Sequence, residues 1–200
     1  MVLDRKGKVY SVLSGGSKNS GPEFESFWKK ELEKALNNTP LKGSYYEKAK
    51  AGSSNGIKFI DSLSKINSFN DLTTYFKEKT LYIDLWASWC LPCRKEFVTK
   101  TPSVDSFFIK HNIAKIYLTI DKPHADGIWR KLVHEYQLKG YHLMAGTMLQ
   151  EDIKRKIYNN SSMIDVPRYV IVKNGEITVV NAFAPSEEDR LLKQLIEKGI

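Results

Sequence analysis

An apolar stretch, Leu81-Tyr82-Ile83-Asp84-Leu85-Trp86, runs to within four residues of the first of the chain's only two cysteines, Cys90 and Cys93. A strand that is hydrophobic on both faces is buried on both, which places it inside a sheet covered by helices. Helical sequence follows Cys90, and Ile113–Ile120 reads as a second strand. Residues 125–138 and 148–158 carry helical spacing. Arg168–Val172 and Glu176–Val180 flank Asn174-Gly175, a strong hairpin signal. Ser186, followed by Glu187, Glu188 and Asp189, reads as the cap of a last helix bearing Leu191, Leu192, Leu195 and Ile196. Strand, helix and strand followed by hairpin and helix imply an α/β domain, a mixed sheet with helices on both faces.

The stretch before this pattern differs. Lys8–Leu13 reads as a short strand before the flexible Ser14-Gly15-Gly16-Ser17. Pro22 sits in the first turn of a helix whose Phe24, Phe27, Trp28, Leu32, Ala35 and Leu36 share one face. Residues 43–56, rich in Gly and Ser, read as a linker. The expected organisation is an N-terminal extension over 1–57 and one domain over 58–200. The net charge of +8 could suggest nucleic acid, but residues 1–60 hold 11 Lys/Arg among 6 Asp/Glu, mixed rather than clustered. A phosphate-binding face gathers its cations on one surface, so the charge reads as solvation. No apolar run approaches the ~20 residues that span a bilayer, and Met1–Lys6 lacks the apolar core of a secretory signal. The chain as it stands is expected to be soluble.

Two cysteines three residues apart make a poor structural staple. Closing so short a loop constrains the unfolded chain by only about 2 kcal/mol, which points to chemistry. A thiol where a strand gives way to a helix faces unpaired amides and the positive end of the helix dipole, so Cys90 is the expected attacking thiolate. Cys93, one turn inward, is placed to resolve a mixed disulfide and must lose its proton to do so. Asp84, a carboxyl inside an apolar strand, should have a raised pKa suited to accepting that proton. Glu96, three residues after Cys93 on the same helical face, is the second candidate acid. Pro167 stands at the start of a strand, where its missing amide is tolerated; on sequence alone its peptide bond is expected to be trans.

Trp86-Ala87-Ser88-Trp89-Cys90-Leu91-Pro92-Cys93, with Asp84 before it and Val166-Pro167 ahead of the hairpin, resembles the thioredoxin superfamily over about residues 60–200. The interval from Ile120 to Pro167 has room for two extra elements, and with Cys93-Arg94-Lys95-Glu96-Phe97 it is similar to the TlpA/ResA branch of thiol–disulfide oxidoreductases. The Tyr82–Trp86 strand and Gly140-Tyr141-His142-Leu143 resemble forms common in Bacteroidota. The resemblance implies a three-layer thioredoxin-like α/β/α fold with a TlpA/ResA-type insertion. It implies Cys90 as nucleophile, Cys93 as resolving thiol, Asp84 as the buried acid and Glu96 as an acid near the site. It also implies a cis Val166–Pro167 bond, whose loop, with Trp89, Leu91 and Pro92, meets an extended substrate segment. The implied partners are protein thiols or disulfides and an electron donor. The only redox group implied is the Cys90–Cys93 pair, with no separate cofactor, and the implied compartment is periplasmic or otherwise extracytoplasmic, this chain being the mature part of an exported protein.

The sequence departs from that branch in three respects. Val98 stands where a proline is usual, with Pro102 one turn later; Leu91 is bulkier than the glycine of thioredoxin; and residues 1–57 match nothing in the family. Zinc held by the cysteines and two of His111, His124, His134 and His142 is the first rival, but these histidines lack paired ligand spacing. A peroxidase would have a single peroxidatic cysteine after a Thr-x-x arrangement, not a tryptophan-preceded pair. A binding or assembly module without turnover is the remaining alternative.

Overall fold

The computed structural model describes residues 2–3, 9–11, 56–60, 65–99 and 101–200. The chain divides into two compact units, Met1–Lys50 and Ala51–Ile200. In the first, strand β1 (Val2–Leu3) pairs antiparallel with β2 (Val9–Ser11). The amphipathic helix expected from Pro22 to Leu36 and the linker up to residue 55 lie outside the described residues.

The second unit opens with β3 (Ile57–Phe59), so Ile57 belongs to its sheet. Then come α1 (Phe69–Tyr75), β4 (Thr80–Trp86), α2 (Leu91–Val98), α3 (Pro102–Lys110) and β5 (Ile113–Thr119). A single 3₁₀ turn, Pro123–Ala125, leads into α4 (Asp126–Glu135), followed by β6 (Gly140–Met144) and α5 (Thr147–Ile157). The hairpin β7 (Arg168–Lys173) and β8 (Glu176–Val179) and the helix α6 (Glu188–Glu197) complete it. The sheet order is β3-β6-β5-β4-β7-β8. The first four strands are parallel, and β7 and β8 run antiparallel to their neighbours. The fold is thioredoxin-like. The interval that the sequence leaves between β5 and Pro167 holds α4, β6 and α5.

Strand β4 is buried along almost its whole length, and period-2 alternation divides its side chains between two cores. Leu81, Ile83 and Leu85 pack with Phe69 and Leu72 of α1 and Leu149 and Ile153 of α5. On the other face Trp86 packs with Phe97 of α2 and Trp129 of α4, and Tyr82 with Phe108 of α3 and Leu191 of α6. Asp84 falls on that second face, the one that packs on α2.

The proline at position 102 shapes that helix. Inside a continuous helix its ring would strike the carbonyl of Val98 and leave a bond unmade. The chain therefore leaves α2 at Thr99 and begins α3 with Pro102 in its first turn. At the hairpin, Asn174 (φ 55°) and Gly175 (φ 82°) both adopt the left-handed backbone that a two-residue turn of the I′ kind requires. The last helix is not capped by Ser186: its N-cap is Glu187 and makes no side-chain cap bond. Ser186 instead donates to Glu96 from its backbone N–H (2.6 Å) and its hydroxyl (2.9 Å), tying this loop to α2.

Gly140 opens β6 at φ 148°, where a Cβ would lie 2.7 Å from the Lys115 carbonyl oxygen and 3.1 Å from the Tyr117 ring. The first obstacle is backbone and cannot swing aside. Gly140→Ala is therefore expected to cost roughly 2–3 kcal/mol, read as a lower urea midpoint; an unchanged midpoint would mean that β5 and β6 part without cost.

Candidate active site

Strand β4 ends at Trp86, and a turn closed by the Cys90 N–H donating to the Ala87 carbonyl (3.0 Å) delivers the chain to α2. Cys90 is the N-cap of that helix, and its Sγ accepts the Cys93 N–H at 3.2 Å. Each helix leaves its first amides unpaired, and here one of them is aimed at sulfur. Cys90 and Cys93 form a disulfide with Cα atoms 5.4 Å apart. Cys90 is 3% exposed and Cys93 fully buried, whereas Trp89 (65%) and Leu91 (60%) stand open to solvent beside them. Pro92 is also exposed, at the first turn of α2.

The Val166–Pro167 peptide bond is cis. The segment before it is fastened by the Tyr158 hydroxyl donating to the Asp165 carbonyl at 2.6 Å. Val166 packs against the core cluster that holds Cys90, Cys93, Trp86 and Phe97. Val166 and the cysteines, 73 positions apart at the closest, are therefore joined through one core cluster.

Asp84 lies one face-matched position before Trp86 and is buried; its Oδ1 has no hydrogen-bond partner. Burial raises its pKa from 3.8 to about 7, the Lys115 ammonium opposing the rise and Glu96 adding to it. Its strand partners are Tyr117 on β5 and Tyr169 on β7. Lys115 is pulled down by its own burial but held above its ordinary value by Tyr117, Asp105 and Asp84; Asp105 lies 3.7 Å away. Tyr82, on the same face of β4, donates to the Phe183 carbonyl at 2.7 Å and stacks on Tyr169. Glu96 is half-buried on α2, with its carboxylate on Ser186. It reaches the acid electrostatically rather than by a hydrogen bond.

The row continues outward through His142 of β6, which pairs with Tyr117 and lies parallel to its ring, 4.9 Å between centroids. His142 Nε2 is 2.8 Å from the Leu138 carbonyl, an acceptor, so Nε2 carries the proton. Burial pushes the pKa of this ring down to about 3. Among the described residues no group of three or more His, Cys, Asp and Glu is arranged to hold a metal ion. Nor, among those residues, is any helix long and apolar enough to cross a membrane.

Local pattern singled out the cysteines, Asp84, Glu96 and the Val166-Pro167 loop; Lys115, Tyr117 and His142, which the structure brings beside Asp84 or in line with it, were not singled out. A lone lysine in the otherwise apolar Ile113–Ile120 was the available signal for the first, since a buried cation needs an anionic partner. No family model matches the chain. Among solved structures it is similar to a Bacteroides vulgatus protein provisionally named a thiol-disulfide oxidoreductase, with 29% identity, 61% of this chain and 77% of that one covered, and a TM-score of 0.43. A thioredoxin domain of a thiol-disulfide oxidoreductase from the same organism matches at 20% identity over 62% of this chain and 81% of that one, TM-score 0.46. A thioredoxin-like protein of Porphyromonas gingivalis matches at 22% over 60% and 74%, TM-score 0.45. With every one of these scores below one-half, the chemistry of the site rests on this chain's own residues.

Proposed function

We propose that this chain is a thiol–disulfide oxidoreductase that reduces or exchanges disulfides in other proteins. The observation that carries the reading is the Cys90–Cys93 disulfide at the mouth of α2, on the same side of the sheet as a buried carboxyl with an unpartnered oxygen. In the reduced enzyme the amide that now reaches Cys90 Sγ favours its thiolate, which attacks a substrate disulfide and expels one substrate thiolate. Asp84, through water, takes the Cys93 proton; the new thiolate attacks Cys90 Sγ and releases the second substrate thiolate. Two electrons pass from the dithiol to the substrate, and the same steps reversed oxidise thiols. Glu96 assists by keeping the proton affinity of Asp84 high. No separate cofactor enters, and a thiol-bearing electron donor must restore the dithiol.

The rim of Trp89, Leu91 and Pro92, with Val166 and Pro167 opposite, is the proposed seat for an extended substrate segment. The resemblance to the TlpA/ResA branch supports an extracytoplasmic setting, facing the periplasm. The test is catalysis: the reduced chain should precipitate insulin chains faster than dithiothreitol alone, and iodoacetamide at neutral pH should modify Cys90 before Cys93. No insulin reduction, with the Cys90–Cys93 pair cycling freely, would favour a binding module without turnover; faster labelling of Cys93 would exchange the two roles.

A further inference from the structure

Two residues before Cys90 the chain is held by a side chain from the loop that follows β5. Asp121 lies just beyond β5 and is buried, yet its carboxylate is filled by three donors. The Ser88 N–H donates to Oδ2 at 2.8 Å, the Ser88 hydroxyl to Oδ1 at 2.9 Å and the Thr119 hydroxyl to Oδ2 at 2.7 Å. The Asp121 N–H donates back to Thr119 Oγ1 at 3.2 Å. A buried carboxylate is tolerable only when its lone pairs are satisfied. Two of the three donors belong to a single residue of the turn that carries the nucleophile. Thr119, fully buried and paired with Trp86 across β4 and β5, ties the same carboxylate to the sheet. The neighbouring Trp89 stands 65% exposed. The clamp thus joins the sheet directly to the turn at Ser88.

We propose that Asp121 is a positioning residue: by clamping Ser88 it fixes the turn that sets Cys90 Sγ against the Cys93 amide at the mouth of α2. It touches neither sulfur and acts through Ser88. The inference rests on the reading of Cys90 as the attacking thiol. Hydrogen-bond stabilisation of a thiolate falls steeply as the donor leaves line, so a turn released at Ser88 lets the sulfur swing away from the amide 3.2 Å from it. Release of the Ser88 hydroxyl also leaves the Asp121 carboxylate with one donor fewer, and its negative charge opposes a second anion nearby.

The test follows Cys90 alkylation by iodoacetamide against pH in the full reduced chain, read at the Cys90 peptide by mass spectrometry. Ser88→Ala keeps the carboxylate and removes one donor; the midpoint should rise by about half a pH unit, about threefold less thiolate at neutral pH. Ser88→Thr restores a hydroxyl and should return the midpoint to its original value. In an Asp121→Asn background, where fewer acceptors face Ser88, Ser88→Ala should move the midpoint by less than half as much. An unmoved midpoint in Ser88→Ala, or an equal shift in both backgrounds, overturns the inference, because a purely architectural bond would lower the melting temperature and leave this profile alone. Were the wild-type chain to fail on insulin while these shifts appeared, the proposed function would fall and the clamp would stand.

Discussion

At pH 8, Asp84→Asn is expected to make the protein about 4 kcal/mol more stable and a poorer catalyst. The acid titrates at about 7 in the fold against 3.8 ordinarily, mainly because burial disfavours its charge. The folded state therefore keeps a proton that the unfolded chain has released. Its contribution to stability is complete below pH 3.8 and is lost as the pH rises through about 7. Three pH units correspond to about 4 kcal/mol. His142 has the opposite slope: burial lowers its pKa from 6.5 to about 3, so its contribution is complete above 6.5 and is lost as the pH falls toward 3. Between about pH 4 and 6.5 the two nearly cancel. Urea unfolding of the wild type should therefore vary little across that window and weaken above it. Asparagine at position 84 uncovers the histidine, and stability should climb with pH up to about 6.5 and then level off. If asparagine gives no gain at pH 8, the charged carboxyl is already compensated in the fold. The catalytic penalty follows from the same proton: decay of the mixed disulfide should slow by about a hundredfold, the size of a lost general base, with initial attack by Cys90 much less affected.

Cys93→Ser should abolish turnover and leave the protein covalently bound to its substrates through Cys90. With only two cysteines in the chain, no other thiol can release the intermediate. Non-reducing gels should show dithiothreitol-sensitive adducts for Cys93→Ser and none for Cys90→Ser, since Cys93 is fully buried beneath the first turn of α2. Adducts formed by Cys90→Ser instead would reverse the assignment. The same Cys93→Ser protein, expressed in cells, captures the natural partners for identification.

Much of the arrangement could be read from local pattern because its determinants are local. Strand β4 declares itself by being apolar on both faces, and that alone marks Asp84 as a buried acid. Asn174-Gly175 requires two left-handed residues and adopts them. Strands β3 and β6 are three and five residues long, and Gly140-Tyr141-His142-Leu143-Met144 has no alternation to betray it. Helix α1 did carry a signal, the reciprocal Ser68–Asp71 capping box, in a segment too short for hydrophobic periodicity to register. What spacing could not supply are the contacts between distant segments: Ser186 on Glu96 across ninety positions, and Asp121 on Ser88 across thirty-three. Ser186 misled for that reason. Its neighbours have the composition of a helix cap, but the hydroxyl found a better acceptor on another helix.

The recess of Cys90 between two protruding side chains limits what can meet it. With Cys90 only 3% exposed and Trp89 and Leu91 standing out beside it like bollards, a blunt approach to its sulfur is expected to fail. A cystine lying flat on a globular surface, or sunk in a crevice, cannot bring its own sulfur within bonding range. A strand end, a loose loop or a chain not yet folded can thread the gap. In the proposed reaction the shape of this doorway would sort clients by how far their cystines project, before any difference in reduction potential is felt.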